Sequence, residues 1–200
     1  MRTLVFGAGD LARVYSRGHD DVILLERDDC DASDYDAVVE AIEHWEPHRV
    51  LCTAGLSDIK ADSLEEVLNA NLVTAINVGT AAAAAGLPCV LVASTAGIVP
   101  GDHAWYGPAK AGVINFVRAM ANRGARIWAI SPGRIHTSMR QDDFPEEDPA
   151  TRLEAWVVGV QIENIFNGDY APGANVVIRK VGYHRTDIYE EVAPCLPSLL

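Results

Sequence analysis

A strand that runs directly into a glycine turn, and from there into a helix, admits few folds. This chain opens that way. Met1 to Phe6 reads as a short buried strand, and Gly7-Ala8-Gly9-Asp10-Leu11-Ala12 follows at once with the spacing GxGxxA. The glycines allow a tight turn and close approach to a phosphate, and the small residue at Ala12 lets helix and strand pack. The helix behind the turn offers free N–H groups to a pyrophosphate. Glycine turns after strands are common, so the motif gains weight chiefly from following the first strand. Gly18-His19 already marks a turn, which makes the helix short.

The rest of the chain repeats the alternation. Strands are expected at Val22–Leu25, Arg49–Cys52, Cys89–Ala93, Arg126–Ile130 and Asn175–Ile178. Helical patterns fill the gaps: Tyr35 to Trp45, closed by Pro47, and a long helix opened by the capping box Ser63-Leu64-Glu65-Glu66. Another runs on from Lys110 to a Gly124 cap, and a last one from Thr151 to about Phe166. Alternating strands and helices imply one α/β domain over residues 1–200, a parallel sheet covered on both faces. The ligand then belongs beyond the strand C-termini.

Composition narrows the function classes. Two hundred residues with 49% hydrophobic content suit one well-filled core. A net charge of -12 argues against nucleic acid or an anionic membrane surface as partner. Cys30, Cys52, Cys89 and Cys195 show no metal spacing, and His19, His44, His48 and His184 none either, so no metal site is expected. Reduced thiols fit a cytoplasmic protein. The chain enters a strand without a signal peptide, and no uninterrupted apolar run approaches membrane-spanning length.

Chemistry concentrates in Ser94 to Lys110, S-T-A-G-I-V-P-G-D-H-A-W-Y-G-P-A-K. A hydroxyl, Ser94, closes an apolar run. A phenol and an ammonium, Tyr106 and Lys110, follow four residues apart, on one face of a helix. A free tyrosine titrates near pH ~10, and a nearby cation favours its anion, which would make Tyr106 a general acid/base. A bare YxxxK is more often a buried tyrosine and a solvated lysine, so other features must carry the case. Asn71 is one: it falls on the apolar stripe Leu64, Val67, Leu68, Leu72, Ala75 and Ile76, where a buried amide needs partners. A plain structural amide or a kinked helix holding a water or lysine there both answer that need. At the end of the second strand, Glu26 could take the ribose hydroxyls of NAD and repel the extra phosphate of NADP, whereas Arg27 points the other way. An ordinary surface ion pair explains both equally. Asp31 could meet an adenine, or Ser33 or Asp34 could simply cap the next helix. Residues 134–150 form a candidate substrate lid, with His103, Trp105 and His136 flanking the pocket.

Taken in order, these motifs resemble the short-chain dehydrogenase/reductase family. The matches are Gly7-x-Gly9, Thr53-Ala54-Gly55, Asn71, Ser94…Tyr106-x-x-x-Lys110, and Pro132-Gly133 followed by Thr137. The resemblance implies a Rossmann-like three-layer α/β/α domain that binds NAD or NADP. Tyr106 would be general acid/base on a ketone or secondary alcohol, Lys110 would hold the nicotinamide ribose and lower the pKa of Tyr106, and Ser94 would bind the reacting oxygen. Asn71 would carry a proton-relaying water. Gly7, Gly9, Asp10, Leu11 and Ala12 would meet the pyrophosphate, Asp31 the adenine, and Pro132, Gly133, Ile135 and Thr137 the nicotinamide side. A homodimer or homotetramer through the helices bearing Asn71 and Tyr106 is also implied. Departures are visible: Phe6 replaces a usual threonine, Asp10 and Ala12 break the later glycines, and one strand–helix unit is missing before Thr53. About six parallel strands are therefore expected, in the order 2-1-3-4-5-6. The alternative is a non-catalytic NAD(P)-binding scaffold on the same fold.

Overall fold

The first five strands are each about as long as their apolar runs, and the register of those runs brings the turns together. In the computed structural model, residues 1–99, 101, 103–182 and 185–191 are described. The first three strands are β1 (Thr3–Phe6), β2 (Val22–Leu25) and β3 (Arg49–Cys52), with β2 at the edge. Phe6 pairs with Leu25 on one side and Cys52 on the other, so the turns after all three leave the same edge. β4 (Cys89–Val92), β5 (Ile127–Pro132) and β6 (Asn175–Val181) continue the parallel sheet. The order is β2-β1-β3-β4-β5-β6-β7.

The seventh strand corrects the expected count of about six. β7 (Arg185–Glu190) is antiparallel to β6, which itself runs to Val181 and not merely to Ile178. It is an edge strand with most residues exposed, so no buried alternation announces it.

Side chains alternate across the sheet, and each face has its own core. Leu4, Phe6, Val50 and Cys52 meet α2 (Tyr35–Trp45), α4 (Thr74–Ala84) and α5 (Tyr106–Ala121) on one face. Val5, Leu51, Val90 and Ile130 meet α1 (Asp10–Ser16) and α7 (Ala155–Phe166) on the other. Three helices against two reflects the missing strand–helix unit. The long helix opened by Ser63 is α3 (Leu64–Leu68), a π turn (Asn69–Val73) and α4 in continuity. By length and composition Leu64–Ala84 could cross a membrane. Its buried residues Val67, Ala75, Val78, Ala81 and Ala82 instead pack within the α/β core.

The helix expected from Thr151 begins only at Ala155. Arg152 and Leu153 are held extended, because Leu153 bridges Ile135 and exchanges hydrogen bonds with Arg134 and His136. That clasp closes residues 136–152 into a loop containing α6 (Ser138–Asp143). Cys30, Cys52 and Cys89 are free thiols; Cys195 and His184 lie outside the described residues.

Candidate active site

The turns at the C-terminal edge enclose a cavity of about 1280 Å³. Its lining includes Gly9, Asp10 and Leu11 after β1, Thr53, Gly55 and Asp58 after β3, and Ser94, Ala96, His103 and Tyr106 after β4. Lys110, Gly133, Ile135, Thr137 and Arg140 close it. Four of the sequence's main motifs therefore converge on one space.

Small residues set the geometry of this wall. A Cβ at Gly97 would meet the Lys110 carbonyl carbon at 2.7 Å, so the loop after Ser94 sits directly on α5. Ser94 then lies near enough to Tyr106 for its hydroxyl to lower the pKa of the phenol. The Ser94 hydroxyl also accepts from Ala96 N, which fixes the turn. Lys110 is 3% exposed, donates to the Val92 carbonyl at 2.9 Å, and lies 5.5 Å from the Tyr106 ring centroid.

The electrostatics correct one expectation. Lys110 does not make Tyr106 acidic; burial dominates and pushes the phenol above its ordinary value. The Ser94 hydroxyl and the Arg140 charge pull the other way, while Asp58 adds to the rise. Burial also pushes the Lys110 ammonium down to about 8, since a charged form loses hydration there.

Asn71 sits in the π turn and is 1% exposed. Its N–H donors go to the Leu56 and Val67 carbonyls at 2.8 and 3.0 Å, and its Oδ1 accepts from Leu56 N. The amide is thus bonded to backbone on both sides, and the helix is disrupted into a π turn where it stands. A Cβ at Gly55 would lie 2.8 Å from Asn71 Oδ1 and 3.4 Å from Lys110 Nζ, so only glycine fits between them.

At the first turn, Gly7 has φ +97 and a Cβ there would strike Ala54 N at 2.6 Å. Gly9 caps α1 with no side-chain hydrogen bond and faces open space. Asp10 accepts from Ser138 N, a contact that holds its carboxyl below the usual range. Thr137 caps α6 by accepting from Arg140 N. Ala12 is buried in the core. Gly7, Ala12, Ala54 and Pro132 are not part of the cavity lining, and neither are Glu26, Arg27 and Asp31. Glu26 pairs with Arg13, Arg27 with Asp31, and Asp31 also accepts from Ser33. Asp34 caps α2.

Sequence reasoning missed Asp58. It accepts from His103 Nδ1 at 2.8 Å and, at 3.4 Å each, from the backbone N–H groups of Trp105 and Tyr106. Burial raises its carboxyl, and these bonds together outweigh that and lower it. The carboxylate thus seats the start of α5. No motif announces a contact made across 48 residues. Trp105 is 38% exposed at the mouth, and His136 lies 3.9 Å from Glu154.

A sequence profile described as enoyl-(acyl carrier protein) reductase matches residues 17–161. No protein of curated function matches the chain by sequence. Solved structures share the fold. An oxidoreductase of the short-chain dehydrogenase/reductase family from Burkholderia thailandensis is 17% identical, with TM-score 0.71 over 88% of this chain and 90% of its own. A dTDP-4-dehydrorhamnose reductase from Bacillus anthracis, in complex with NADP, is 15% identical, with TM-score 0.72 over 90% and 75%. A small-chain dehydrogenase in complex with NADPH is 14% identical, with TM-score 0.71 over 89% and 96%.

Proposed function

Because the chain belongs to the short-chain dehydrogenase/reductase family, we propose that it is an NAD(P)-dependent oxidoreductase interconverting a ketone and a secondary alcohol. One observation carries the reading: Ser94, Tyr106 and Lys110 share one cavity wall, with the ammonium 5.5 Å from the phenol ring centroid.

The surrounding residues fit a nicotinamide dinucleotide. Gly9 leaves open space at the uncapped start of α1, where a phosphate can approach N–H groups. Thr53 and Gly55 line one side, and Gly133, Ile135 and Thr137 the other. The NADP and NADPH bound by distant fold relatives support a nicotinamide cofactor in general. Glu26, at the end of β2, favours NAD over NADP within this proposal, although Arg13 engages it.

The nicotinamide, when bound, supplies or accepts the hydride. In reduction, Tyr106 gives its proton to the carbonyl oxygen. Burial keeps the phenol protonated, the form a donor needs. The Ser94 hydroxyl donates to the same oxygen and orients it. The Lys110 ammonium provides positive charge on the wall where the phenolate forms. Asn71 Oδ1, facing Gly55 beside Lys110, is the place for a proton-relaying water. Residues 134–150 act as the substrate lid, and copies of the chain pair through the helices bearing Asn71 and Tyr106.

Asp10 favours the alternative, a scaffold that binds cofactor without turnover, because its carboxylate stands at the turn meant for a pyrophosphate. Titration with NADH and NADPH separately, followed by a panel of carbonyl compounds, separates the readings. The proposal expects cofactor oxidation that depends on the carbonyl. Tight binding with no turnover across the panel would establish the scaffold.

A further inference from the structure

We propose that the outer part of the cavity, bordered by Arg134, Arg140, Arg179 and Lys180, is an anion subsite for a carboxylate or phosphate carried by the carbonyl substrate. The inference rests on the reaction proposed above and names its substrate class.

Glu147 is the anchor of this region. It receives Arg140 Nε and Nη2 at 2.8 and 2.7 Å and Arg152 Nε at 3.1 Å, and it forms an ion pair with Arg134, whose Nε lies 3.1 Å away. A carboxylate has about four acceptor positions, so Glu147 is nearly filled. Three guanidinium groups around one carboxylate leave an excess of positive charge. Arg152 is accounted for: it is 1% exposed, and its Nη2 donates to the carbonyls of Phe144 and Glu147. The other two are not. Among the hydrogen bonds of the described residues, Arg140 Nη1 and both Nη groups of Arg134 have no acceptor.

Arg179 adds a further cation with no carboxylate partner among the described residues. It lies at the end of β6, where its Cβ is 3.4 Å from a Cβ built on Gly133, and packs 5.7 Å from the Tyr189 ring centroid. Lys180 borders the same space and donates to the Arg152 carbonyl. In a chain of net charge -12, such a concentration of cations on a cavity is not an average surface. The acidic groups on the wall do not cancel it in kind. Asp10 is engaged by Ser138 N, and Asp58 by His103 and two backbone N–H groups. Among the described residues Asp143 has a buried Oδ1 with no partner, an acceptor suited to a substrate hydroxyl beside the anion.

The cluster also stands at a useful distance from the chemistry. The Arg140 guanidinium lies 3.7 Å over the Phe144 ring, Phe144 lies 6.1 Å from His103, and His103 lies 5.7 Å from Tyr106. An anion paired with Arg140 would thus share one cavity with a carbonyl at Tyr106. Planar guanidinium groups suit both carboxylate and phosphate oxygens.

The dinucleotide's own phosphates share this chemistry, so the test must tell the two apart. Malonate and inorganic phosphate are titrated calorimetrically into the cofactor-free protein and into protein presaturated with NADPH. The titrations are repeated with Arg140→Gln and with Arg179→Gln, the latter outside the Glu147 cluster and therefore neutral to folding. The proposal predicts binding of at least one anion that persists with NADPH present and weakens about tenfold in either variant, as expected for a lost charged hydrogen bond. No binding, wild-type affinity in both variants, or displacement of the anion by NADPH overturns it; the last outcome gives the cluster to the cofactor. Turnover is followed in the same samples. Anion binding without turnover refutes the proposed reaction alone, whereas turnover on uncharged carbonyls without anion binding refutes the subsite alone.

Discussion

Two tyrosines are withdrawn from water at opposite ends of this sheet, and only one faces a cavity. Tyr15, on α1, donates to Glu163, whose carboxylate also takes Arg49 Nη1 and Nη2 at 2.9 and 2.7 Å. His19 stacks on its ring at 4.4 Å. Tyr106 has instead a neighbouring hydroxyl, a buried ammonium and about 1280 Å³ of space. Burial raises the pKa of both phenols. The shift alone therefore does not separate structure from chemistry; the partners do. At the N-terminal end each polar atom has a fixed acceptor or donor inside the protein. At the C-terminal end the groups are gathered but left open to a ligand. Glu163 and Glu147 repeat the contrast, one carboxylate matched by Arg49 and the other exceeded by three arginines.

The contrast can be broken from either end. The largest stability effect belongs to Arg49→Met, which leaves Glu163 partly buried without its cation. Removing one partner of such a pair should cost about 3 kcal/mol in urea unfolding, with turnover per folded molecule unchanged. Lys110→Met should act oppositely. Below pH 8 the folded protein carries an ammonium that prefers water, and the unfolded chain does not bear that cost. The penalty is complete below about 8 and fades as pH rises toward the ordinary value of 10.5. The variant should be more stable by about 2 kcal/mol at pH 7, allowing for the donor that Val92 loses, with the gain disappearing near pH 10. It should also lose turnover, and wild-type reduction should decline as pH passes through about 8. Tyr15→Phe should have the smallest effect, about 1 kcal/mol, because Glu163 keeps Arg49.

The parallel sheet was legible because buried strands read as apolar runs, and Gly7, Pro47, Gly86 and Gly124 punctuate them. The convergence of Ser94, Tyr106 and Lys110 was legible because they lie on two adjacent elements. β7 was not, since Arg185–Glu190 is a mostly exposed edge. The π turn at Asn69–Val73 left only one trace, an amide on an apolar stripe. The arginines around Glu147 left none. They converge only after Leu153 pairs with Ile135 and closes the intervening loop, a long-range event without local periodicity. The adenosine-side reading is the least constrained by the fold, because Glu26, Arg27 and Asp31 are exposed and pair with one another or with Arg13.

The most direct test compares turnover in Tyr106→Phe and Tyr15→Phe, with NADH and NADPH binding measured on both proteins. The account predicts that Tyr106→Phe binds cofactor as the wild type does yet loses at least about a hundredfold in turnover, while Tyr15→Phe turns over normally. Wild-type turnover in Tyr106→Phe would contradict it.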